Sequence, residues 1–244
     1  MTGRYTSEQL KKIAMGTMFI DHAAVALIYN AGLNEGSTCF ETIGLAMRLI
    51  GRMAFPLYAF LLVQGFLWTR DWARYGARVA VFALISEIPY DLVAFGSLWS
   101  MEGQNTMFTM LLGLVCMRGI RWAEEWDWCE GEADAFPRHA MVLLIAAAGA
   151  LVAWFLRADY GAFGVLLILV FYMFRFRPAE QWFGGCAVLY LMYFGIYAIA
   201  AWIAIFLISR YNGERGKKMG YWPYVFYPVH LLMLAVMHAV FAGI

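Results

Sequence analysis

Long apolar stretches separated by short polar ones run the length of the chain. A membrane-crossing helix needs about 20 mostly apolar residues to span a hydrocarbon core about 30 Å thick. Such stretches are predicted near residues 11–30, 42–68, 77–98, 105–122, 139–157, 161–176 and 222–242. One further apolar block, 183–209, is long for one spanning helix and short for two, with Gly195 near its middle. It reads either as one tilted helix or as a pair of short ones. The pattern therefore predicts an all-α, polytopic integral membrane bundle of eight or nine transmembrane helices. Every connection is short except 123–138, so residues 1–244 read as a single transmembrane domain.

Composition sharpens this reading. The chain is 63% hydrophobic and 14% charged, against about 45–50% and about 25% in soluble domains. A soluble fold cannot hide that much apolar surface, and intrinsic disorder requires the opposite bias. Eighteen Lys and Arg against 17 Asp and Glu leave a net charge of +1. That balance offers no basic face for nucleic acid. Cys39, Cys116, Cys129 and Cys186 are scattered without a C-x-x-C pair and form no disulfide framework. The first apolar run contains Asp21 and His22 and is too long for the core of a cleavable signal.

Basic residues in short connections predict orientation. Arg4, Lys11 and Lys12, then Arg70, Arg74 and Arg78, then Arg118 and Arg121, then Arg175 and Arg177 mark alternate ends of the spans. The intervening connections carry Glu35, Glu41 and Glu102. The N-terminus is expected on the cytoplasmic side. Arg210, Arg215, Lys217 and Lys218 fall on the same side only if 183–209 holds two helices. The acidic loop 123–138, with Trp122, Trp126 and Trp128, reads as a solvated connector with interfacial anchors.

Charges inside the spans need a separate account, because each costs several kcal/mol unless paired. Asp21 and His22 lie in the first span, Arg48 and Arg52 in the second, Glu87 and Asp91 in the third and His230 in the last. Arg48 and Arg52 are one turn apart and share a helix face, as are Glu87 and Asp91. The two helices are predicted to neutralise each other, either as a purely structural ion-pair network or as part of a site. Neighbours on a helix point about 100° apart, so Asp21 is not expected to orient His22 directly. Imidazole titrates near neutral pH and can take a proton from a nucleophile. His22 is the first candidate for that role and His230 the second. No spacing suggests a metal site.

Several of these residues lie in longer motifs. Leu10 to Met15 running into Ile20-Asp21-His22 is one, and Arg48 through Phe66 is another. Phe82 to Asp91, Asn105 to Leu112, Asp159-Tyr160-Gly161 with Gly164-Val165-Leu166, Tyr211 to Gly216 and Tyr227-Pro228-Val229-His230-Leu231 follow in order. Together they resemble the TraX family over nearly the whole chain. That family is similar to a wider group of membrane acyltransferases, and its namesake N-acetylates the amino terminus of pilin. The resemblance implies an acyl-CoA-dependent acetyltransferase with acetyl-CoA as donor and no metal. It makes His22 the catalytic base or acyl carrier, with Asp21 beside it. Arg48, Arg52, Arg215, Lys217 and Lys218 would meet the donor. Glu87, Asp91, Asn105, Tyr227 and His230 would support the site or the acceptor. The acceptor itself stays open: a pilin-type N-terminus, a glycan or a small molecule, on the donor's side or across the membrane.

A different class fits the same charges. A small proton-coupled transporter would use Asp21, His22, Glu87 and Asp91 as a relay, although no repeat between the halves supports it. A scaffold with a buried ion-pair network is a third reading. The basic edge near the histidine separates them, since only a transferase has use for a coenzyme A site.

Overall fold

The computed structural model describes residues 3–126 and 135–242. Most of the acidic loop, including Trp128 and Cys129, lies outside the described residues. Ten α-helices account for most of the described residues, which contain no strand beyond two isolated bridges. Four helical segments are long and apolar enough to cross a membrane: Ser7–Tyr29, Thr38–Trp68, Pro137–Phe155 and Trp222–Val240.

Local signals set the helix ends. Helix α1 (Ser7–Ala24) starts in a capping box between Thr6 and Gln9 and runs into a π-helical turn at Val25–Tyr29. Such turns widen a helix by one residue and occur often beside functional sites. Helices α2 (Thr38–Gly51) and α3 (Ala54–Trp68) divide the expected span 42–68 at Arg52 and Met53. Pro56 sits in the first turn of α3, where no intrahelical donor is lost. Asp71 caps α4 (Trp72–Phe95), which ends on Gly96 in the left-handed conformation. Asn105 caps α5 (Thr106–Glu125). Helices α6 (Ala135–Phe155) and α7 (Gly161–Met173) follow.

The block 183–209 resolves as two helices, α8 (Pro178–Tyr193) and α9 (Gly195–Ser209). They part at Phe194 and Gly195, whose φ angles are 51° and 54°. Helix α10 (Trp222–Ala242) closes the bundle. The extra turn of the chain brings 210–217 to the same end as the N-terminus. There Arg4 and Tyr5 donate backbone hydrogen bonds to Arg210, and Asn212 donates to Tyr5. The Ser7 and Glu8 amides, free donors at the start of α1, bond the carbonyls of Glu214 and Arg215.

Helix α3 is central, packing on α1, α5, α7 and α9. Phe55, Phe66, Phe171 and Tyr172 fill the core around it. Helix α10 packs chiefly along α4 and also touches α1. The outer helices turn apolar side chains outward: Leu143, Leu144, Trp154 and Phe155 on α6 are all more than half exposed. In water such a surface would associate; against lipid it is the expected face.

Candidate functional site

The buried charges sort into two groups around α1. Asp21 is 7% exposed. Its carboxylate accepts from Arg48 Nη1 at 2.7 Å and from Arg52 Nη2 at 2.9 and 3.1 Å. Arg48 lies in the last turn of α2 and Arg52 at its C-cap, so one turn of separation delivers both guanidinium groups to one carboxylate. The guanidinium of Arg52 also lies over the Tyr193 ring, 5.2 Å from its centre. Gly51 makes the approach possible: a Cβ there would fall 2.1 Å from Asp21 Oδ1.

This corrects the expected pairing. Glu87 and Asp91 do not meet the arginines. Glu87 accepts from the side-chain amide of Asn105, which also donates to the Ala83 carbonyl. Asp91 accepts from the Ser100 amide at 2.8 Å. Each of the two carboxylates keeps one buried oxygen without a hydrogen bond. Residues 87, 91 and 105 thus tie α4 to the connection ahead of α5.

His22, next to Asp21, points elsewhere. Its Nδ1 lies 2.7 Å from His230 Nε2, and the two rings stack with centres 5.0 Å apart. His230 Nδ1 lies 2.7 Å from the Phe226 carbonyl, and the Phe226 ring stacks on it at 4.7 Å. Tyr227 presents an edge to both imidazoles. His230 is 2% exposed, whereas His22 is only half-buried. No described residue hydrogen-bonds the Nε2 of His22. The pair joins α1 to α10, two helices far apart in sequence.

A cavity of about 560 Å³ opens at the end that carries the N-terminus. Lys11, Arg70, Arg78, Arg215, Lys217 and Lys218 surround its mouth, and Met18, Tyr58, Thr106 and Tyr227 form its inner end. Ser7 and Met18 both line it, which gives a depth of about 16 Å at 1.5 Å per helical residue. Tyr227 is shared between the cavity and the histidine pair, and Met18 is one turn before His22. Neither imidazole lines the cavity itself; Tyr227, which does, stands edge-on to both. Arg48 and Arg52 do not line it; Arg215, Lys217 and Lys218 do.

Other contributors were not expected from the sequence. Asp159 accepts from Thr106 Oγ1 and from the Tyr160 amide, and its charge acts on Arg52. Tyr160, at φ 64°, stacks on Phe55 with centres 3.9 Å apart. Lys11, Arg70 and Arg78 look like ordinary interfacial charges until the fold sets them around one opening. The motif Asp159-Tyr160-Gly161 is the available signal for the first group, and nothing in its spacing points to Arg52 or Thr106. Among the described residues, no group of three or more His, Cys, Asp or Glu side chains is arranged to hold a metal.

The comparisons with known proteins extend over the whole site. The sequence model described as TraX protein matches residues 6–238. A curated relative, the probable fimbrial assembly protein FimC (serogroup H1) of Dichelobacter nodosus, is 27% identical over 254 aligned positions that cover 94% of each chain. No solved structure matches.

Proposed function

The chain belongs to the TraX family, and on that premise we propose that it is a membrane-embedded, acyl-CoA-dependent acetyltransferase. It spans the inner membrane eight or nine times with its N-terminal end in the cytoplasm. The observation that carries the reading is one cavity with a cationic mouth and, at its inner end, Tyr227, which also stands edge-on to an imidazole pair. Coenzyme A is polyanionic at one end and carries its thioester at the other. Lys11, Arg78 and Arg215 hold the phosphates, since Arg forms bidentate bonds to phosphate oxygens and Lys supplies a point charge. The slender thiol-bearing arm extends along the apolar wall made by Leu61, Leu62, Val79 and Met110. The thioester then lies near Tyr227, within reach of His22.

His22 acts as general base toward the acceptor's amine or hydroxyl. The tetrahedral intermediate carries an oxyanion, which the Tyr58 and Tyr227 hydroxyls are placed to meet at the inner end of the cavity. Arg48 and Arg52 hold Asp21 and fix α1 in register; they are not donor ligands in this reading. The acceptor comes to His22 from its half-exposed side. The name of the Dichelobacter nodosus relative favours an acceptor connected with surface appendages, such as a fimbrial subunit.

Calorimetry of acetyl-CoA with the purified protein tests the proposal. Micromolar binding, weakened in Arg78→Ala and Arg215→Ala, supports it. A stable sample that does not bind the donor overturns it and directs attention to proton flux in liposomes.

A further inference from the structure

The hydrogen bonds of the two histidines fix where their protons reside. A carbonyl oxygen only accepts, so the bond from His230 to Phe226 puts a proton on His230 Nδ1. A neutral imidazole has one N–H, so His230 Nε2 carries a lone pair and accepts from His22 Nδ1. His22 Nε2 is then the bare nitrogen of the pair. It is also the one that no described residue occupies.

The surroundings of the two rings differ in their tolerance of charge. His22 is next to Asp21, and the guanidinium groups of Arg48 and Arg52 act on it. Two cations against one carboxylate leave a positive field there, which opposes an imidazolium. His230 has no such neighbour. The Phe226 carbonyl bonds it, the Tyr227 carbonyl lies beside it, and the Phe226 ring covers one face. Burial opposes a cation at either ring, and at His230 the carbonyl dipoles and the aromatic face offset part of that cost. Of the remaining titratable groups nearby, Tyr227 is edge-on to both rings and Tyr58 lies beyond it. Glu87 and Asp91, on α4, are engaged by Asn105 and Ser100.

We propose that His22 and His230 form a two-imidazole proton relay, in which His22 takes the acceptor's proton and His230 holds the resulting charge. This rests on the acyltransferase reading. The acceptor X–H gives its proton to His22 Nε2 while X forms a bond to the acyl carbon. In the same movement the His22 Nδ1 proton passes to His230 Nε2. His22 is left neutral with its proton on Nε2, and His230 carries protons on both nitrogens. The C–S bond then breaks, and the departing thiolate recovers one proton through the reverse shift. The sum is acyl thioester plus HX giving acyl-X plus thiol, with both imidazoles restored. His230 touches neither reactant and acts through His22.

Nitrogen-15 NMR of the histidine-labelled, full-length protein in lipid nanodiscs tests this without any turnover assay. At neutral pH both rings should carry their proton on Nδ1 alone. On acidification the first imidazolium should appear at His230, with His22 switching to its Nε2–H form. His22 protonated on Nε2 at neutral pH, or a first cation at His22, overturns the relay. A kinetic test uses His230→Gln, whose side-chain oxygen can still accept from His22 Nδ1 but cannot take its proton. Donor binding and the His22 tautomer should be retained, with turnover lower by about 100-fold or more. Full turnover in His230→Gln overturns the relay and leaves His22 as a lone base. Absence of acetyl-CoA binding by the wild type overturns the acyltransferase reading instead, and the NMR result stands apart from it.

Discussion

Asp21 and His22 are consecutive in α1, yet they meet opposite sides of the bundle: Asp21 binds Arg48 and Arg52, and His22 bonds His230 on α10. The angle between successive helical side chains makes this division. One residue anchors the α2–α3 corner, and the next bonds α10 beside Tyr227, a residue of the cavity's inner end. The π-helical turn that begins three residues after His22 ends the regular register of α1 just past the pair.

Asp21→Asn should therefore act on stability first. Removing one partner of a buried ion cluster leaves the others uncompensated, at about 3–5 kcal/mol. Here two guanidinium groups lose the one carboxylate that, among the described residues, pairs with them. A large drop in thermal unfolding temperature in detergent is expected. Arg48→Gln should cost less, because Arg52, the more buried of the two at 12% against 29% exposed, still bonds both Asp21 oxygens. Equal effects of the two substitutions would contradict the assigned geometry.

Gly51→Ala should disturb the same cluster sterically. The new methyl would overlap the Asp21 carboxylate, and overpacking of this kind costs about 1–3 kcal/mol. Gly16→Ala is the internal control. It lies within α1 with open space around its added Cβ, and should be neutral or stabilising by up to about 1 kcal/mol. The two unfolding curves compared side by side provide the check.

At the cavity mouth, Arg215→Ala and Lys217→Ala should each weaken acetyl-CoA binding by about tenfold, the scale of one charge-assisted hydrogen bond. Affinity of the wild type should also fall as salt rises, and less steeply in each variant. Calorimetry at two ionic strengths measures both.

His22→Gln should leave donor affinity within about twofold and lower transfer by a factor on the order of 10²–10⁴, the usual contribution of a general base. A parallel loss of binding and transfer would place His22 among the donor contacts rather than at the reacting centre.

Much of this architecture can be read directly from residue order. Apolar run lengths locate the helices, and the basic residues at 210–218 favour two helices within 183–209. The break at Phe194 and Gly195 agrees with that charge pattern. The ion pairs are a different matter. Spacing by four residues shows that Arg48 and Arg52 share a face, and that Glu87 and Asp91 do. It says nothing about which neighbouring helix each face meets. Helix α1 packs against α2, so Asp21 takes both arginines, while Asn105 and Ser100 satisfy the carboxylates of α4. Asp159 is obscure for a related reason: nothing in the spacing of its motif points to Arg52 or Thr106. The link between His22 and His230 spans nearly the whole chain, and no local pattern records it.

That last separation bears on biogenesis. Half of the imidazole pair arrives with the first helix and half with the last, and the cavity mouth combines Lys11 with Arg215 and Lys217. A nascent chain that has inserted all but α10 already carries Lys11, Arg215 and Lys217 but lacks His230 and Tyr227, and so has no imidazole pair. The pair is therefore completed in a single event, when the final helix docks along α4.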